Sequence, residues 1–83
     1  LWLDSKTAHE IYGKNGHMWS KLVCGTKGDC LVVNVPGPLR EAVAAIGAFA
    51  AVVRESRDIE RINDAMADAV YAQYPQDKVQ RDA

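Results

Sequence analysis

Cysteine is scarce in this 83-residue chain: Cys24 and Cys30 are its two examples. That excludes a small fold stapled by several disulfides. Neither cysteine lies in a C-x-x-C pair, and His9 and His17 lack the H-x-x-x-H spacing that gives zinc motifs their specificity. His9-Glu10 is not followed by a second histidine four residues on, so the zinc-protease pattern is missing. The glycines near 13–16 and 25–28 form neither G-x-G-x-x-G nor G-x-x-x-x-G-K-[ST]. No sign of charge dominates: ten basic residues face eleven acidic ones, a formal net charge of −1. Strong, sequence-independent nucleic-acid binding is therefore not expected. The longest apolar run, Ala42–Val53, falls well short of the ~20 residues that span a bilayer. Leu1-Trp2-Leu3 gives way at once to Asp4 and Lys6, so no signal peptide is expected there. Repeats and low-complexity stretches are missing too. These absences predict no catalytic residue, no metal, no cofactor and no membrane segment, and a cytoplasmic location.

What is present centres on Ala42–Val53, read A-V-A-A-I-G-A-F-A-A-V-V and bracketed by Arg40, Glu41, Arg54 and Glu55. The spacing predicts a helix. Leu39, Val43, Ile46, Phe49 and Val53 form a stripe of large residues, expected to face the core. Ala44, Ala45, Ala48 and Ala51 lie on the other side with Gly47. A helix apolar all round is normally covered all round. The small side is therefore predicted to meet a partner, either the next helix of the chain or a second copy. Pro36-Gly37-Pro38 breaks the preceding strand, and Pro38 suits the first helical turn.

Residues 5–16 admit two readings. Thr7-Ala8-His9-Glu10 has the form of a capping box and would open a short helix. Asn15-Gly16 is instead a hairpin turn signal. The hairpin sets Tyr12 opposite Trp19 and Glu10 opposite Lys21, with Lys14 opposite His17. Both faces of that register are coherent, so the hairpin is preferred. Met18–Cys24 and Cys30–Val35 read as strands, joined by a turn centred on Lys27-Gly28 with Cys24 opposite Leu31 and Leu22 opposite Val33. Cys24 and Cys30 then point to opposite faces, against a disulfide.

After the first helix, Ser56 or Asp58 can cap a second from about Ile59 to Tyr74. The short connection makes the two helices antiparallel neighbours. Its inner stripe is Ile59, Ile62, Met66, Ala69, Val70 and Gln73. The predicted fold is α+β: a small antiparallel sheet of three to four strands, followed by two antiparallel helices on one face. Residues 1–75 form one domain, and 76–83 a polar, frayed tail.

Two surfaces are candidates for function. The first is the Ala-rich helix, with Ala44, Ala48 and Ala51 as an oligomer interface. The second is the outer sheet face, where Tyr12, Trp19, His17 and Lys21 make an aromatic and basic patch with Val23 and Val32. The leading expectation is a non-enzymatic interaction module that self-associates and binds another protein. The alternatives are a weak single-stranded nucleic-acid binder using the sheet face, and a small ligand-binding domain with a pocket near Cys24, where His9 could reach the thiol. Leu1–Leu3 or the C-terminal tail could also cover the patch.

Overall fold

A computed structural model describes residues 2–81. Strands β1 (Ser5–Gly13), β2 (Met18–Lys27) and β3 (Cys30–Val33) come first. Helices α1 (Leu39–Val53) and α2 (Ile59–Tyr71) follow, and β4 (Val79–Arg81) ends the order. The sheet is antiparallel in the order β3-β2-β1-β4. The α+β expectation is met: α2 lies on the sheet against β1 and β2, and α1 packs chiefly on α2. Leu1, the start of the segment proposed to lie over the core, is outside the described residues, as are residues 82–83 of the proposed tail.

Residues 5–13 form a strand, so the capping-box helix is not realised. The predicted pair Glu10–Lys21 is present, and His9 lies opposite Leu22 in the same register. Near the turn the register slips: Ile11 faces Ser20 but Tyr12 faces Met18, leaving Trp19 as an extra residue on β2. The loop is thus 14–16, not the two residues Asn15-Gly16. Gly16 takes a φ of 95°. Its N–H donates to Gly13 O (2.9 Å), and Gly13 N–H donates to His17 O (2.7 Å). A three-residue loop ending in a left-handed residue is the next commonest hairpin connection after the two-residue one.

The second hairpin turns at Gly28-Asp29, with Lys27 opposite Cys30 and Cys24 opposite Val33. This is a two-residue slip from the expected register. It leaves every side chain on its predicted face, because the strand period is two. Gly28, at φ 58°, supplies the left-handed conformation that such a turn requires. Past the end of β3, Asn34 mimics a strand residue. Its Oδ1 accepts from Val23 N–H (2.6 Å) and its Nδ2 donates to Lys21 O (2.7 Å).

Helix α2 begins where Asp58 caps it: the Asp58 carboxylate accepts from Glu60 N–H at 3.1 Å. It ends at Tyr71 rather than Tyr74. Ile62, Met66, Ala67 and Val70 are buried and join Ile11, Leu22, Cys24, Ala45 and Val79 in the core. Asn63 is fully buried among the residues of this helix. Neither of its amide atoms has a hydrogen-bond partner.

Helix α1 is turned differently from expectation. Leu39, Val43 and Ile46 are 77%, 62% and 54% exposed. Ala45 is buried, with Ala48, Phe49, Val52 and Val53 packed beside the core. The predicted core stripe is therefore half outside. Small residues at the contact let two helix axes approach closely: Ala45 and Ala48 turn inward together with Phe49, Val52 and Val53, while Ala50 and Ala51 stay exposed. Arg40 Nη2 donates to Gln73 Oε1 (3.3 Å), tying the start of α1 to the far end of α2 as antiparallel neighbours require.

Residues 79–81 do not belong to a frayed tail. They pair with 11–13 of β1, and Val79 is 2% exposed. The approach is fixed by Gln76 Nε2, which donates to Tyr71 O (2.9 Å) and Tyr74 O (2.8 Å). Arg81 clasps the edge strand to α2 through Asp64 at 3.2 Å and through Asp68.

Candidate functional site

The outer sheet face keeps part of its predicted chemistry. Glu10 accepts from the Tyr12 hydroxyl (2.9 Å) and lies 3.6 Å from Lys21 Nζ. Tyr12, Glu10 and Lys21 thus form one polar chain across β1 and β2. His17 is exposed at the hairpin loop, where its N–H donates to Asn15 Oδ1 (3.1 Å). Leu3 folds over Gly25 on this face.

Trp19 is not with them. The extra residue in β2 turns its indole towards the helix side, where it meets Tyr74 edge-on with ring centroids 5.1 Å apart. Gly13 lies directly beneath: a Cβ there would sit 2.5 Å from Trp19 Nε1. A bulge re-aims a side chain in this way. The aromatic pair of Tyr12 and Trp19 is therefore not formed, and the stacking platform for unpaired bases is not assembled. Trp19 instead walls a shallow cleft with Gly13, Lys14, Asn15, Asp77 and Lys78.

Tyr74 sits in a partly dry corner. Burial pushes its phenol above the ordinary range, the nearby Glu41 carboxylate pushes it the same way, and a hydrogen bond with the Ser20 side chain opposes them.

The cysteines stay apart. Cys24 is fully buried and Cys30 is exposed, and both are free thiols. Burial raises the Cys24 thiol's pKa, the reverse of what a nucleophile needs. His9 faces α2 instead, with Nε2 3.6 Å from Asp64. Among the described residues, no group of three or more His, Cys, Asp or Glu converges as a metal site. No helix among them is long and apolar enough to cross a membrane.

Three of the exposed large apolar residues, Leu39, Val43 and Ile46, lie on α1. Leu39, Val43, Ile46 and Ala50 recur at spacings of four, three and four residues, with Gly47 and Ala51 alongside, and all six are exposed. Of the residues named from the sequence, Ala48 packs into the molecule's own core, Ala44 is half-buried, and Ala51 borders the open stripe. A shallow groove beside the stripe is lined by Leu39, Arg40, Val43, Ala44 and Gln73.

No protein-family model, curated protein or solved structure matches this chain.

Proposed function

We propose that the protein is a non-enzymatic interaction module that self-associates through the open side of α1. The observation that carries this reading is the exposure of Leu39, Val43 and Ile46 on one helix. Singly exposed apolar residues are ordinary, but a contiguous stripe marks a contact surface. Transferring such a stripe out of water contributes about 25 cal/mol per Å². No catalytic constellation competes with this reading among the described residues.

Sedimentation equilibrium from about 1 to 200 µM tests it, the range over which a small interface associates. The wild-type chain is expected to shift from monomer to dimer with concentration. Ile46→Glu is expected to stay monomeric while keeping its circular dichroism spectrum, since position 46 is more than half exposed. A wild-type monomer throughout, or an Ile46→Glu dimer of unchanged affinity, would overturn the reading.

A further inference from the structure

We infer that the cleft walled by Trp19 binds a small aromatic acid, one planar ring carrying one carboxylate or phosphate. This goes beyond the proposed function, and none of the residues lining the cleft belongs to α1. The cleft forms where the first hairpin loop meets the approach to β4. Lys14 N–H donates to Lys78 O (2.9 Å), and Lys78 N–H donates to Pro75 O (3.0 Å). The two walls are therefore joined through backbone, and the cleft is formed before a ligand arrives.

Trp19 supplies the surface for the ring. Tyr74 meets its indole edge-on at 5.1 Å. On another side it lies so close to Gly13 that a Cβ there would be 2.5 Å from Nε1. Packed in this way the indole has little rotamer freedom left to lose, yet it stays 39% exposed. A rigid, partly uncovered aromatic side chain receives a planar apolar partner at low entropic cost. Volume limits the size of that partner. The cleft measures about 230 Å³, below the ~300 Å³ at which sites for drug-sized ligands begin. That suits one ring with one short substituent.

Charge selects an acid. Lys14 and Lys78 both line the cleft, against a single carboxylate, Asp77. In β2 the lysines are matched: Lys21 has Glu10 at 3.6 Å and Lys27 has Asp4 at 3.8 Å. Among the described residues, neither Lys14 nor Lys78 forms an ion pair. The whole chain carries a formal charge of −1, so the positive excess at the cleft is local. Asn15 adds a donor, because its Oδ1 accepts from His17 N–H (3.1 Å) and its Nδ2 is left to donate. Two ammonium groups and an amide donor match a carboxylate or phosphate, which accepts charge-assisted hydrogen bonds. The ammonium groups are exposed and screened by salt, so half-saturation falls at about 1 mM.

Titration followed by two-dimensional amide NMR tests this. Benzoate and phenyl phosphate present a ring with an acid, benzyl alcohol the ring alone, and inorganic phosphate the acid alone. Benzoate or phenyl phosphate is expected to shift the Trp19 indole N–H and the amides of Lys14, Asn15 and Lys78 saturably. The tighter of the two identifies the anionic group. Benzyl alcohol and inorganic phosphate should each bind about tenfold more weakly. Lys14→Gln combined with Lys78→Gln should weaken binding about fivefold with the spectrum otherwise preserved, since both side chains are exposed. No saturable shift up to about 20 mM of either acid would overturn the inference. So would benzyl alcohol or inorganic phosphate binding as tightly as the acids, or a double-lysine variant of unchanged affinity.

Discussion

Replacing Asn63 with leucine is expected to stabilise the protein. Asn63 is fully buried, and both polar atoms of its amide lack a partner. Desolvating an amide with nothing to replace its water costs about 1–3 kcal/mol. Leucine branches at the same carbon, so its two methyls fall where the amide oxygen and nitrogen were. It is also the better helix former, by roughly half a kcal/mol. The methyls are bulkier, and overpacking returns about 1 kcal/mol of the gain. The net expectation is about 1–2 kcal/mol, a melting temperature roughly 5–12 °C higher for a chain of this size. Urea unfolding followed by tryptophan fluorescence measures it. Asn63→Ala serves as the control: it removes the same stranded amide but leaves a small void. It should therefore fall within about 1 kcal/mol of the parent. If both variants lose about 1 kcal/mol or more, the amide makes a contact that the geometry does not contain, and the reasoning fails.

Gly25→Ala should destabilise by about 1–3 kcal/mol, because the new methyl would lie 2.6 Å from both Leu3 Cδ1 and the Ser5 carbonyl oxygen; an unchanged urea midpoint would contradict this. In a thiol-reagent assay the native protein should show one fast thiol, the exposed Cys30, with the buried Cys24 reacting only on unfolding; two fast thiols would contradict the packing. Tyr74 should ionise above the ordinary phenol range in an ultraviolet titration, a late step that Tyr74→Phe removes and Glu41→Gln moves down. The sign follows from the folded phenol holding its proton longer than an unfolded one, near pH 10. The stability it contributes is complete below that pH and is lost as pH rises through the folded value.

How much of this was legible in the sequence depended on whether a pattern had one solution. The pairing of Glu10 with Lys21 was legible because charge and alternation agreed at the same register. The turn beside it was not, since Asn15-Gly16 suits a two-residue loop as well as the last part of a three-residue one. The bulge that follows moved Trp19 off the predicted patch. In the second hairpin, alternation gave the faces of Leu22, Cys24, Leu31 and Val33 correctly. It could not detect a slip of two, and Gly28-Asp29 competes with Lys27-Gly28 for the turn.

For α1 the missing information is physical. Ala42–Val53 has no polar residue to mark an outside, so bulk was the available guide, and it fails in part: Ala45 and Ala48 turn inward with Phe49, Val52 and Val53, while Leu39, Val43 and Ile46 stay outside with Ala50 and Ala51. Of the candidate interface residues Ala44, Ala48 and Ala51, Ala51 stays on the open side beside Leu39, Val43 and Ile46, while Ala48 packs against the core. Asn63 was legible in principle, since it stands one residue after Ile62 and three before Met66 on the inner stripe. Three residues of β4, flanked by charged and polar neighbours, carry too little periodicity to be read as a strand.

β4 also has a temporal meaning. Val79 fills its place in the interior only after everything from Ser5 to Tyr71 has been synthesised, because its pairing partner lies among the first thirteen residues. A growing chain can complete both hairpins and both helices while one flank of β1, around Ile11–Gly13, still waits for its neighbour. Translation halted before residue 79 would release a molecule with most of its architecture and a gap where Val79 belongs. Proteases and quality-control chaperones are equipped to detect such a gap.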